Sequence, residues 1–445
     1  MALQFTGHLF EFQQKVADWS QGLDRGIIGL DMGLGKTVIT IAMVCQKSYK
    51  HVLVVVPLQI LTQWREAFLK FTNLQPKDIC VYQGRNRHLV ESKVVLTTYD
   101  VVRTEMDMNR SPLIDTPMIF DCMILDEAHK IKNKKSLTYQ ACYQIGQTID
   151  SKWLLSGTVI HNKFDDFYNL CVFLDLPNLP VDQLKSKYYI RMTKADCNDN
   201  LQLPNKVIHD HYLDFDDTHL ELYTQLQEEV RRLCNRYVTE ATQNTYMNIL
   251  TKILRLRQCC NHPDAILHET PLKGVSSTKF DQIVEIIQQT PIDQKLIIFS
   301  QWEHSLNLLG SHLSDHNITY LEYNGSLDIS NRNRIIKQFK DTDARVILIT
   351  IASGGVGLDL SCANHIIIMD SWWNRAMEEQ AIDRAYRIGQ TRQVEVHRLY
   401  IRNSIEDWMI EIKKEKNKVD IAFHQNGSVY TTDKSLLSEI LHKYI

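Results

Sequence analysis

Three small groups of residues in this sequence have the types and spacing that phosphate chemistry requires. The first lies in IIGLDMGLGKTVITIA, Ile27 to Ala42. A strand, a Gly-rich turn and a helix in that order aim backbone N–H groups and a helix N-terminus at an anion. Gly33 and Gly35 permit the tight turn, and Met32, Gly33, Leu34 and Gly35 form the cradle. Lys36 would reach the outer phosphates and the Thr37 hydroxyl would ligate magnesium. The strict G-x-x-x-x-G-K-T pattern is not met, because Leu30 occupies the first glycine position.

The second group is MILDEAH, Met123 to His129. A carboxylate at the end of a buried strand is costly unless it serves a metal or a partner. Asp126 is expected to hold magnesium, and Glu127 to orient or deprotonate an attacking water. The third is EEQAIDRAYRIGQTRQ, Glu378 to Gln393. Arg384 and Arg387 are three apart, so on a helix they share a face. Such a pair suits either a solvent-facing basic helix or a γ-phosphate, where an arginine finger is worth roughly 10³ to 10⁵ in rate. The segment alone leaves both open.

These groups need elements to position them. The runs HVLVVVP (51–57), KVVLTTYD (93–100), FDCMILDEAH (120–129), KWLLSGT (152–158), KLIIFSQ (295–301), RVILIT (345–350) and HIIIMD (365–370) are continuously apolar. Strands buried on both faces read this way, as in a parallel sheet covered by helices. Amphipathic stretches such as LTQWREAFLKF lie between them, giving repeated βαβ in two blocks. The interval 216–275 has no strand-like run and reads as successive helices, as does SIEDWMIEIKKEKNKV after about 404. The expected organisation is an N-terminal lobe over 1–215, a helical protrusion over 216–275, and a C-terminal lobe with a brace helix over 276–445.

Composition narrows the class. The chain has 445 residues, 44% of them hydrophobic and 23% charged, with a net charge of −3. That argues against a uniformly basic, histone-like binder, while a local basic groove still suffices for phosphate contacts. Ten cysteines include no C-x-x-C pair, so a zinc ribbon or RING module is not expected, and at this length neither is a disulfide scaffold. The N-terminus lacks the apolar segment of a signal peptide, and runs such as VLVVVP are too short to cross a bilayer. A soluble intracellular protein is expected. HKIKNKK (129–135) is read as a solvated loop in preference to a nuclear address.

Taken in order, FQQKVADW, DMGLGKT, DEAHKIKN, LLSGT, IIFSQW, SGGVGLDL and QAIDRAYRIGQ resemble the successive motifs of superfamily-two helicases, and within them the Swi/Snf-type DNA translocases. LRLRQCCNHP (254–263) and DSWWN (370–374) are the more specific signatures. The resemblance covers nearly the whole chain. It implies an α/β protein with two RecA-like parallel-sheet lobes and helical insertions between them, closing on ATP and magnesium. Gln13 would then read adenine, Gly355 and Gln380 would join the nucleotide site, and Arg384 and Arg387 would act as fingers from the second lobe. Candidate contacts to a nucleic-acid backbone are Gln59, Thr97, Thr98, Gln301, Trp302, Gly325, Ser353, Gly354 and Trp373. For Thr97 and Thr98 a plain strand end, and for the tryptophans core packing, are equally served.

The implied function is an ATP-driven translocase on double-stranded DNA in chromatin or transcription regulation. Its implied partners are DNA, nucleosomes or transcription proteins, its compartment the nucleus and its state a monomer. Two alternatives remain: a catalytically weak regulator that keeps the fold, and a strand-separating helicase. Leu30, Val159, His161 and Arg375 depart from the family pattern. The changes at 159 and 161 bear on coupling hydrolysis to DNA more than on hydrolysis. The chain ends are close to the two lobes, so a histone-reading module is not expected.

Overall fold

The computed structural model describes residues 3–107, 112–116, 118–157, 164–197, 201, 203–239, 243–266, 277–354, 358–372, 375–411 and 413–414. Val159, His161, Gly355 and Trp373 therefore lie outside the described residues. The chain divides into two units, Met1–Leu203 and Pro204–Ile445.

The first unit is a seven-stranded sheet in the order β3-β4-β2-β5-β6-β1-β7. Its strands are β1 (Arg25–Leu30), β2 (Val52–Val56), β3 (Ile79–Tyr82), β4 (Val94–Thr98), β5 (Cys122–Asp126), β6 (Ser151–Leu155) and β7 (Tyr189–Met192). The second is a six-stranded sheet in the order β10-β11-β9-β12-β13-β8. Its strands are β8 (Lys206–Leu213), β9 (Leu296–Ser300), β10 (Tyr320–Tyr323), β11 (Val346–Thr350), β12 (His365–Ile368) and β13 (Val394–Ile401). Every pairing between these strands is parallel. The central strands β2, β4, β5, β6, β9, β11 and β12 are buried at every residue, as their continuous apolarity requires. In the first unit, α1 (Glu11–Gln21), α2 (Lys36–Gln46) and α3 (Leu61–Phe71) place the nucleotide motifs around β1 and β5.

Two features differ from the domain boundaries read in the sequence. Residues 206–213, expected in the N-terminal lobe, form β8, whose eight residues pair in register with β13 from Lys206↔Val394 to Leu213↔Ile401. Nor do the helices Asp217–Thr239 and Gln243–Asn261 build a unit of their own. Their apolar faces share one cluster with Ile401, Ile405, Trp408 and Met409, because amphipathic helices must bury that stripe against something.

A buried ion pair ties the second unit together. Lys279 is fully buried, and its ammonium donates to Glu406 Oε1 at 2.7 Å and to the Met369 carbonyl at 2.8 Å. Glu406 Oε2 accepts from the Ile401 amide at 2.8 Å. Removing one partner leaves a buried charge uncompensated, at a cost of about 3–5 kcal/mol. Lys279→Met is therefore expected to lower the urea-unfolding midpoint of the second unit sharply. Adding Glu406→Leu in the same chain should recover part of the loss, as the isolated carboxylate is then gone.

Candidate nucleotide site

β1 runs into a loop that ends at Gly35, the residue before α2. Gly33 and Gly35 adopt left-handed backbone angles, φ 83° and 81°. The Gln13 side chain closes this loop from α1. Its Nε2 donates to the Leu34 carbonyl at 3.0 Å, and its Oε1 accepts from the Phe10 amide at 3.0 Å. A Cβ at Gly35 would lie 2.5 Å from Gln13 Nε2, so glycine is required both for φ and for space. Gln13 thus spends its polar atoms on holding the loop and the start of α1. The Lys36 ammonium donates to the Leu30 carbonyl at 2.8 Å and approaches that of Asp31 at 3.4 Å. Those are the loop's own acceptors, and phosphate oxygens would replace them. Thr37, half-buried, occupies the first turn of α2.

Asp31 anchors the other side of the loop. Its carboxylate pairs with Arg191 at 3.0 Å and accepts from the Lys194 amide at 3.0 Å. Arg191 also donates to the carbonyls of Gly29 and Gly157. An acidic side chain directly after Leu30 is thus engaged by Arg191 of the edge strand β7.

Asp126 and Glu127 end β5. Glu127 has φ 54°, a left-handed conformation uncommon outside glycine, asparagine and aspartate. This turns the chain so that both carboxylates are buried next to one another. Asp126 accepts from the Trp64 indole N–H at 2.8 Å and from the Glu127 amide at 2.9 Å. Burial, and then the neighbouring Glu127 charge, push its carboxyl up to about 6, against the lowering effects of Trp64 and Lys36. A half-compensated buried carboxylate beside a threonine-bearing phosphate loop fits a hard, oxygen-seeking divalent cation. Asp126 and Thr37 are the side chains that would hold magnesium. Trp64 was not singled out in the sequence; within an amphipathic helix it looks like core, and only its buried N–H, which needs an acceptor, hints otherwise.

The second-unit candidates are placed differently from expectation. The helix Arg375–Ile382 ends before either arginine, so Arg384 and Arg387 do not share a helical face. Hydrogen bonds tighten from i−4 to i−3 at Arg384 and Ala385, and Gly389 turns the chain at φ 101°. Gln390 holds this turn: its Nε2 is shared among the Ser361, Ala363 and Ala385 carbonyls, and its Oε1 accepts from the amides of Thr391 and Arg392. Arg384 and Gln380 are buried. Arg387 is half-buried, donates to the Leu358 carbonyl at 3.4 Å and lies 4.0 Å from Asp359.

Among the nucleic-acid candidates, Gln59 is exposed, in the single turn Leu58–Ile60 that follows β2. Thr97 is fully buried and donates to the Tyr82 carbonyl at 2.9 Å, while the Thr98 hydroxyl accepts from the Val101 amide at 3.3 Å. In both, the hydroxyl is engaged inside the first unit, which is the strand-end arrangement. Gly325 and Ser353 are brought together: a Cβ at Gly325 would lie 3.6 Å from Ser353 Oγ. Ser353 is buried and accepts from Thr350 at 2.7 Å, and Gly354 closes the short helix Ile351–Gly354. Gln301 donates to the Ser371 carbonyl at 2.7 Å and accepts from Arg257 at 2.6 Å. Arg257 also lies 5.0 Å from the ring centroid of half-buried Trp302, a cation–π contact. Arg257 and Asn261, both in LRLRQCCNHP, thereby fix the segments after β9 and β12, with Asn261 donating to Asp370 at 3.0 Å.

The Asp126 environment sets a stability test. Its folded-state value lies above the unfolded one near 3.8, so the fold binds this proton more tightly than the open chain does. The group therefore works against folding progressively as pH rises from about 4 to about 6, by on the order of 3 kcal/mol in full. Asp126→Asn should raise the unfolding midpoint at pH 8 by the equivalent of about 1–2 kcal/mol and change it little at pH 4. Denaturant titrations at the two pH values check this.

The chain is similar to known proteins over most of its length. The SNF2-related domain model matches residues 12–184 and 179–265, and the helicase conserved C-terminal domain matches 278–389. The chain is 28% identical over 447 residues to a "Probable global transactivator" of Orgyia pseudotsugata multicapsid polyhedrosis virus, covering 90% of this chain and 88% of that one. It is 29% identical to the "ISWI chromatin-remodeling complex ATPase ISW2" of Saccharomyces cerevisiae, covering 95% of this chain but 41% of the yeast protein. Against a solved "Sulfolobus solfataricus SWI2/SNF2 ATPase core in complex with dsDNA" the identity is 25%, the coverage 99% and 97%, and the TM-score 0.44. Among the described residues no helix is long and apolar enough to cross a membrane. With two family models spanning most of its length, the chain belongs to the SNF2-related, helicase-like ATPases.

Proposed function

We propose that this protein is an ATP-driven translocase on double-stranded DNA that remodels protein–DNA complexes in chromatin or transcription regulation. The observation that carries the reading is the pairing of a glycine-built phosphate loop with a buried Asp126, its carboxyl pushed up by burial beside Glu127, in one unit of a SNF2-related chain. In this reading Met32 to Thr37 cradle the triphosphate, Lys36 binds its outer oxygens and Gln13 sets the loop at the adenine side. Asp126 and Thr37 hold magnesium, which neutralises phosphate charge when bound. Glu127 orients the attacking water, with His129 Nδ1 at 3.3 Å from its carboxylate. Arg384 and Arg387, with Gly355 and Gln380, complete the site from the second unit. Gln59, Gly325, Ser353, Gly354 and Trp373 are the proposed backbone contacts, with Gln301 and Trp302 shaping the surface beside them. Duplex DNA is favoured as the track because LRLRQCCNHP and DSWWN are the motifs most specific to the DNA-tracking branch of the family. The chromatin setting, nuclear location and monomeric state follow the same resemblance, and one relative is named as a chromatin-remodelling ATPase.

The test is ATP turnover with single-stranded DNA, duplex DNA, RNA and nucleosomes. Duplex DNA is expected to stimulate wild type most. Lys36→Ala and Glu127→Gln should abolish turnover, and Arg384→Ala or Arg387→Ala should cost roughly 10³-fold or more. Equal turnover in wild type and these variants would overturn the motor and leave a binding regulator. Displacement of a triplex strand without opening a forked duplex separates translocation from strand separation.

A further inference from the structure

One face of the second sheet carries a group of donors that the nucleotide and DNA readings do not use. In β8 the sequence is His209-Asp210-His211, and in β13 it is Glu395-Val396-His397. Alternate residues of a strand point to one face. Register places His397 beside His209 and Glu395 beside Val207, so both pairs of donors project from the same side. His365, at the start of β12, is in register with Glu395 and extends the group to a third strand.

The side chains meet there. His209 Nε2 is 2.6 Å from Glu395 Oε2, and His211 Nε2 is 3.1 Å from His397 Nδ1. The rings of His209 and His211 lie 5.0 and 5.3 Å from that of His397, centroid to centroid. His365 is about nine-tenths buried, and its Nδ1 and His397 Nε2 have no hydrogen-bond partner among the described residues. A cavity of about 530 Å³ opens over this face, lined by all five donors and by Gln294.

We propose that this face is a binding site for one divalent transition cation of the zinc type, with His209, His211 and His397 as imidazole ligands and Glu395 as the carboxylate ligand or partner. Several points support it. Three histidines with a carboxylate or water as fourth ligand are a tetrahedral zinc set. Two nitrogens bound to one zinc at about 2.0–2.1 Å are about 3.3 Å apart, close to the His211–His397 spacing. A His-x-His pair on one strand, opposite a third histidine on its neighbour, brings three imidazoles to one side without any backbone change. Imidazole-rich sites select zinc, copper or nickel over magnesium, so the two cation sites are chemically distinct. As described, the donors hydrogen-bond in pairs and no three converge. Binding exchanges those two hydrogen bonds for bonds to the cation by side-chain rotation, and each shared N–H proton passes through solvent to the other nitrogen of its own ring, so the imidazoles bind as neutral ligands. The bound cation staples β8, the first strand after the boundary at Leu203, to β13.

The experiment is titration of the full chain with Co²⁺ and then Zn²⁺ in excess Mg²⁺. One equivalent of Co²⁺ should bind with the intense visible absorption of a four-coordinate ion, and Zn²⁺ should displace it. His211→Gln and His397→Gln should each weaken Zn²⁺ binding at least about tenfold. His209→Gln, at an exposed edge position, should do the same and keeps the test valid if a more buried variant fails to fold. His316→Gln, which faces His312 in a separate pair, should bind as wild type does. Asp126→Asn should also retain uptake, which separates this site from the nucleotide site. No saturable uptake by the wild type, or unchanged affinity in the folded histidine variants, would overturn the proposal.

Discussion

A strand buried on both faces holds a polar side chain only where the fold supplies it a partner, and this constraint shapes both units. Polar chemistry is pushed to the carboxyl ends of the strands, where the chain first meets solvent or a ligand, as is general for parallel α/β sheets. β1 delivers the loop from Asp31 to Gly35, and β5 delivers Asp126 and Glu127. β6 is followed by Ser156 and Gly157, whose carbonyl takes a bond from the loop-anchoring Arg191. In the second unit β9 leads to Gln301 and Trp302, β11 to Ser353, and β12 to Asp370 and Ser371. These candidate positions thus lie at or just beyond the end of a continuous apolar run, where a polar group can be accommodated.

That is also why so much was legible beforehand. The apolar runs gave seven central strands, and the local grammar of glycine, lysine and threonine gave the phosphate loop, since each depends on neighbours in sequence. β8 escaped because KVIHDHYL has neither a continuous apolar run nor a strict polar–apolar alternation and is half-exposed, so nothing in 206–213 announces a strand until β13 lies beside it. The boundary drawn at 215 failed for that reason. The shared helical face for Arg384 and Arg387 failed because the turn that ends the helix is held by Gln390 through carbonyls at 361 and 363, some thirty residues earlier in the chain. Trp64 and Arg257 were hidden in the same way: their roles rest on partners 62 and 114 residues distant.

Comparing the two buried aspartates sharpens the assignment of the site. Asp370 accepts from Asn261, Ser300 and the Gln301 amide, so its lone pairs are taken by neutral donors held in place by the fold. Such a carboxylate is a structural node: it locks the segments after β9 and β12 to the LRLRQCCNHP helix, and Lys279 and Glu406 complete the arrangement behind it. Asp126 has two donors, and a second carboxylate as its neighbour. Burying two adjacent acids is unfavourable unless something else offsets it, and the upward displacement of Asp126 to about 6 measures that deficit. Conserving fold stability would favour the Asp370 solution at both places.

The deficit at Asp126 therefore points outward, to a cation that the fold alone does not supply. Trp64 limits the imbalance without abolishing it: one neutral N–H keeps the carboxylate ionisable near neutrality and fixes its orientation, yet leaves its charge for a metal. A lysine or arginine in place of that indole would neutralise the carboxylate by itself and remove the reason to bind magnesium. The Lys36 ammonium, whose charge lowers the Asp126 carboxyl, donates to the Leu30 carbonyl. In the proposed site, lysine on the loop and tryptophan on α3 would divide the work, the first serving phosphate and the second the carboxylate. This division would let metal and nucleotide bind there together.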